Sequence, residues 1–156
     1  MTFDLDRFKH AQDGPDGFAA ALAELEGGRK RSHWIWYIFP QLAGLGQSSA
    51  AIRFSLQSVD EASAYLRDPL LRDRLLGVTS AVLAQLQRDP PPALVYVMGS
   101  EIDALKLVSS MTLFRDVARR MNDDDLAAHA DAILKVARSQ GYRECEFTVR
   151  ALARPA

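Results

Sequence analysis

Cysteine occurs once, at Cys145, in a chain of 156 residues. A lone thiol excludes an intramolecular disulfide and every multi-cysteine zinc site, and it suits a reducing compartment. Cys145 stands between Glu144 and Glu146, so it reads as a structural residue and not as a nucleophile. Histidine is nearly as scarce. His10, His33 and His129 show neither H-x-x-x-H nor H-E-x-x-H spacing, so no metal and no cofactor is expected. Charge of one sign is also missing: 19 basic and 20 acidic side chains leave a net charge of -1, and no global field draws the protein to nucleic acid or to an anionic surface. No apolar run approaches the ~18 residues of a membrane span, and the start, Met1 to Asp6, lacks the charged-then-apolar layout of a signal peptide. A cytoplasmic, soluble protein without a membrane partner is the expectation. Neither G-x-G-x-x-G, nor Gly-Lys-Ser/Thr, nor G-x-S-x-G is present, which disfavours Rossmann, P-loop and nucleophile-elbow chemistry.

What is present is helical periodicity. Leu5, Phe8, Ala11 and then Phe18, Ala21, Leu22, Leu25 recur at helical spacing on either side of Gly14-Pro15-Asp16-Gly17. Ser32 is a fair N-cap for an aromatic helix over 33–38, and Ser48 for a turn through Phe54. Ser58 and Glu61 have capping-box spacing for a helix over 59–67. Asp68-Pro69 opens the most strongly periodic helix, in which Leu70, Leu71, Leu75, Val78, Val82 and Leu86 keep a 3.6 period. Leu94 to Val97 reads as a helical turn, since a single strand has no partner. Ser100 caps a helix over 101–120, Asn122 and Asp123 cap another ending at Gly141, and a last helix covers 144–153. The sum is one all-α domain over 1–156, a bundle of about seven to eight helices without a significant sheet.

Both tryptophans fall in Arg31-Ser32-His33-Trp34-Ile35-Trp36-Tyr37-Ile38-Phe39-Pro40-Gln41, among a guanidinium, a hydroxyl, an imidazole and an amide. Large rings with polar handles beside such groups make either a wet aromatic pocket or an anchored core. Asp103, Lys106 and Ser110 follow one another at i, i+3 and i+7, which places an acid, an amine and a hydroxyl on one helical stripe. Ser109 and Thr112 add hydroxyls where packing alone favours Ala or Leu. The bland alternative is an exposed Asp103–Lys106 pair, hydroxyls bonded back to helix carbonyls, and a His33 satisfied by backbone. Arg29-Lys30-Arg31 reads as a solvated helix end, and Asp123-Asp124-Asp125 as a cluster at a positive helix terminus rather than a metal site.

The strings Gly28 to Gln41, Gly44-Leu45-Gly46 and Asp103 to Phe114, with the segment Glu61 to Pro69 between them, resemble the signature blocks of the bacterial domain-of-unknown-function family 1810, also called Rv-1873-like. The resemblance implies an all-helical single domain and no assigned activity. It departs at the C-terminal end, where a Gly-x-x-Asp-x-x-Thr pattern is replaced by Gly141 to Thr148. Polar signature strings point beyond core packing. The expectation is therefore a small enzyme or ligand-binding protein with a pocket for a polar, partly planar molecule such as a nucleotide or an ADP-ribose-like compound. His33, Asp103 and Lys106 are its candidate catalytic groups, and hydrolysis at an N-glycosidic bond is the first chemistry to consider. Arg31, Ser32, Trp34, Trp36, Gln41, Ser109, Ser110 and Thr112 are the candidate ligand-binding residues. The alternative is a non-enzymatic interaction module in which the aromatic block is core.

Overall fold

The computed structural model describes residues 2–154. Among the described residues ten helices follow one another: α1 (Asp6–Gln12), α2 (Phe18–Glu26), α3 (Ile35–Ile38), α4 (Ser49–Arg53), α5 (Val59–Arg67), α6 (Pro69–Leu86), α7 (Leu94–Met98), α8 (Glu101–Arg120), α9 (Asp124–Ser139) and α10 (Glu146–Ala153). The count exceeds the seven to eight expected because α3, α4 and α7 are turns of four or five residues. Such short pieces have no stability of their own and persist only through what they pack against.

Sequence-coded caps set most of the long helices. The Asp68 carboxylate accepts from the amides of Leu70 and Leu71 at 3.0 and 3.1 Å, so the first turn of α6 begins at Pro69. Ser58, Ser100 and Asp123 cap α5, α8 and α9 in the same way. Glu61, however, does not close the capping box on Ser58. Its carboxylate accepts instead from the Gln57 amide at 2.8 Å and forms a charge-assisted pair with Arg7 at 3.0 Å.

α8 is the central element, packing against α3, α5, α7, α9 and α10. Every residue from Leu107 to Phe114 is buried, so this helix has no solvent stripe in its middle two turns. At about 2 kcal/mol for each large apolar side chain taken out of water, Leu107, Met111, Leu113 and Phe114 make it the main store of hydrophobic stabilisation. α9 lies between α8 and α6, packing on both, and α2 lies on α6.

Two helix starts differ from expectation. α3 begins at Ile35, with Trp34 in the cap position, and Ser32 caps nothing because its hydroxyl is given to Glu24. α10 begins at Glu146 and not at 144; the Cys145 amide donates to Thr112 Oγ1 at 3.3 Å. The polypeptide between α3 and α5 is held by a single parallel bridge, in which the Leu56 amide donates to the Gln41 carbonyl at 2.9 Å and the Ala43 amide to the Leu56 carbonyl at 2.8 Å. Among the described residues no strand extends beyond that bridge, and no helix is long and apolar enough to cross a membrane.

Candidate functional site

The aromatic block divides at Ile35. Its first half is tied down by a residue the sequence did not single out, Glu24 on α2. One Glu24 oxygen accepts from the amides of Arg31 and Ser32 at 2.7 and 2.8 Å and from the Trp34 indole at 3.0 Å; the other accepts from the Ser32 hydroxyl at 2.6 Å. Burial pushes this carboxyl upward, but the bonds from Ser32, from the two amides and from Trp34 outweigh it and hold Glu24 down at about 2. The Trp34 ring is fully buried.

Lys30 belongs to the same knot. Contrary to its reading as part of a solvated helix end, it is buried, and its ammonium sits 4.9 Å from the centre of the Trp34 ring. The charge is met by Asp103 at 2.9 Å and by the Ser32 carbonyl. The Lys30 amide donates to Val97 O at 2.7 Å, and a Cβ on Gly99 would come within 2.9 Å of the Lys30 carbonyl, so the residue at this close approach must be glycine, which also supplies the φ of 83°. Asp103 is thus paired with Lys30 across the fold, and the expected local pair with Lys106 does not form.

The second half is built differently. Trp36, on α3, is half-buried, and Lys106 of α8 stands over it at 5.1 Å from the ring centre. The Trp36 Nε1 is buried without a hydrogen-bond partner, which costs about 1–3 kcal/mol unless something supplies an acceptor. Lys106 makes no ion pair and the Gln41 side chain no hydrogen bond among the described residues. These three side chains line one void together with Ile35, Phe39, Ala51, Phe54 and Ser55. It is small, about 10 Å³, roughly the room one water or one oxygen atom needs.

The void's walls are fixed from outside. Gln41 is placed by the bridge to Leu56. Arg7 donates to Ser55 O at 2.8 Å and to Arg53 O at 2.9 Å while paired with the buried Glu61, so the segment after α4 is anchored independently of any ligand. A Cβ on Gly46 would meet Ala51 Cβ at 2.6 Å, which keeps the loop after Gln41 close to α4.

The expected site residues therefore part into groups. Trp36, Gln41 and Lys106 come together around the void. Ser32, Trp34 and Asp103 lie in the Glu24–Lys30 knot with their polar groups engaged. Arg31 and His33 are exposed, and neither lines the void. Thr112 donates to Val108 O at 2.7 Å and borders a different groove, with Arg115 and Glu144. Ser109 is buried, and Ser110 is fully buried with its hydroxyl unpartnered, one helical turn beyond Lys106 on the same stripe. Glu24, Lys30 and Ser55 were missed. The available signal for Glu24 was a carboxylate set beside Ala21 and Leu25, the buried residues of α2. Among the described residues no group of three or more His, Cys, Asp or Glu could hold a metal ion.

The family profile described as "Protein of unknown function (DUF1810)" matches residues 2–137. In a solved structure, the conserved hypothetical protein Rv1873 from Mycobacterium tuberculosis is similar to this chain at 40% identity and a TM-score of 0.80, covering 98% of this chain and 99% of that one. No curated protein matches. The void's polar residues, Trp36, Gln41, Ser55 and Lys106, all fall inside the matched range, whereas α10 lies beyond it.

Proposed function

The chain belongs to the DUF1810 family, and from the chemistry of its cleft we propose that it binds a polar, partly planar small molecule, of nucleotide or ADP-ribose-like kind, between α3 and α8. The observation that carries the reading is the buried, unpartnered indole N–H of Trp36, a residue that lines a void together with an unpaired Lys106. A folded protein rarely leaves a buried donor unsatisfied, and such groups concentrate where a ligand or water completes them. The ring itself offers a stacking face, which is what a base or nicotinamide requires.

The void admits one polar group of the ligand. The larger part lies outside it, against the half-buried face of Trp36 and the alkyl stem of Lys106. Hydrolysis of an N-glycosidic bond needs a carboxylate or imidazole within reach of the anomeric carbon. No carboxylate or imidazole lines this void, Asp103 being held by Lys30 and His33 lying on the surface. The reading is accordingly one of recognition. The interaction-module alternative has the aromatic block as core; Trp34 is fully buried, and Trp36 packs against the core while remaining half-buried.

The test is a titration of the protein with nucleotides and ADP-ribose, followed by tryptophan emission and compared with Trp36→Phe. A saturable change at up to millimolar ligand that disappears in Trp36→Phe is the expected result. No change with any of them, or a change that survives Trp36→Phe, contradicts the proposal.

A further inference from the structure

The two lysine–tryptophan pairs of this protein differ in one component. In the Lys30–Trp34 pair, the ammonium ends on the Asp103 carboxylate at 2.9 Å and the indole N–H on the Glu24 carboxylate at 3.0 Å. In the Lys106–Trp36 pair, the ammonium has no acid and the indole N–H has no acceptor among the described residues. The fold itself thus displays what satisfies this combination of groups, and the second copy lacks it.

Resting on the ligand-binding reading above, we infer that the group entering the void is an oxyanion, a carboxylate or a phosphate oxygen, held by Lys106, Trp36 Nε1 and the Gln41 amide. An ammonium and an indole N–H are donors only, and Gln41 contributes an NH₂. The remaining polar lining residue, Ser55, is already committed: its hydroxyl donates to Ile52 O at 2.8 Å and accepts from Gln57 Nε2 at 2.9 Å. No acidic side chain lines the void. The carboxylates nearest to Lys106 along α8 are engaged elsewhere, Asp103 with Lys30 and Glu101 with the Tyr142 hydroxyl at 2.7 Å.

Sign and size then set the ligand. A cationic ligand would meet Lys106 with nothing to offset the repulsion, and a neutral one would leave that charge uncompensated in a partly desolvated place. An anionic oxygen gains charge-assisted hydrogen bonds, about twice as strong as neutral ones. A void of about 10 Å³ takes one such oxygen, not a whole phosphate group. The planar frame of a ring carboxylate lets the rest of the molecule follow the Trp36 face.

Calorimetric titration of the full chain with nicotinate and with nicotinamide separates charge from shape, since the two differ only in carboxylate against amide. Inorganic phosphate and AMP form the phosphate arm. Nicotinate binding at least tenfold tighter than nicotinamide, with the preference lost in Lys106→Met and weakened in Gln41→Ala, is expected for a carboxylate. Binding of phosphate and AMP with the same dependence on Lys106, and no preference for nicotinate, assigns the oxyanion to a phosphate. Equal binding of nicotinate and nicotinamide without phosphate binding, or an anion preference that persists in Lys106→Met, overturns the inference while leaving a ligand site at Trp36 intact. Failure of every one of these compounds to bind overturns both.

Discussion

Lys30 and Lys106 each stand about 5 Å from the centre of an indole ring, and each comes from a segment that faces α3 or α8. Around Lys30 every polar handle is closed by a carboxylate of the protein, and the ring is sealed in the core. Around Lys106 the handles are open, the ring is half-buried, and a void lies between them. The same pair of residue types, with tryptophans at 34 and 36 but lysines on distant segments, thus serves as a structural joint in one place and keeps its polar handles open in the other. What separates them is the supply of acids: Glu24 and Asp103 are spent on the first pair.

The comparison can be broken at several points. Glu24→Ala removes the acceptor of two amides, a hydroxyl and an indole at once. A loss of about 3–4 kcal/mol is expected in urea denaturation, because the buried donors remain without partners. Trp34→Phe should cost about 2 kcal/mol, from a cavity in the core and one lost charge-assisted bond. Trp36→Phe relieves the cost of a buried donor that has no partner while losing some ring packing, so the two offset and stability should fall by less than about 1 kcal/mol or rise. Equal losses from the two tryptophans would erase the distinction between the pairs.

Acid provides a gentler probe. Glu24 is held at about 2 in the folded chain against an ordinary 4.5. Since the folded value is the lower one, its stabilisation is complete above the ordinary value and is lost as the pH falls through the interval between the two. Unfolding free energies measured across that interval should decline in the native chain. The decline should be shallower in Glu24→Gln, where no proton is taken up at this position. Parallel curves would assign the acid limb to other carboxyls.

Much of the fold was legible because it rests on local signals. Asp68-Pro69, Ser58, Ser100 and Asp123 are caps whose chemistry acts within four residues, and the period of α6 is visible without knowing its neighbours. The turn Leu94–Met98 was readable because a lone strand has nothing to pair with. The short helices were miscounted and the start of α3 misplaced because Ser32 is claimed by Glu24, eight residues away, in a contact that no local rule encodes.

The same limit governed the site. The sequence placed the aromatic block and the α8 stripe together, and they do meet, through Trp36 and Lys106. It could not tell which polar residues were already engaged. Asp103 and Lys106 are neighbours on one stripe, yet Asp103 turns to Lys30 across the fold, since a buried ammonium demands an acid more strongly than a half-buried one does. His33 and Trp34 are adjacent in the chain, but one is on the surface and the other in the core, a consequence of where α3 begins.

The division between a closed and an open lysine–tryptophan pair is tested most directly by urea denaturation of Lys30→Met beside Lys106→Met. Losing Lys30 strands Asp103 in a partly buried place and should lower stability by about 2–3 kcal/mol, whereas losing Lys106 should leave it within about 0.5 kcal/mol of the native chain. Comparable losses in the two variants, or a larger one from Lys106, would show that the second pair is as structural as the first and contradict the account.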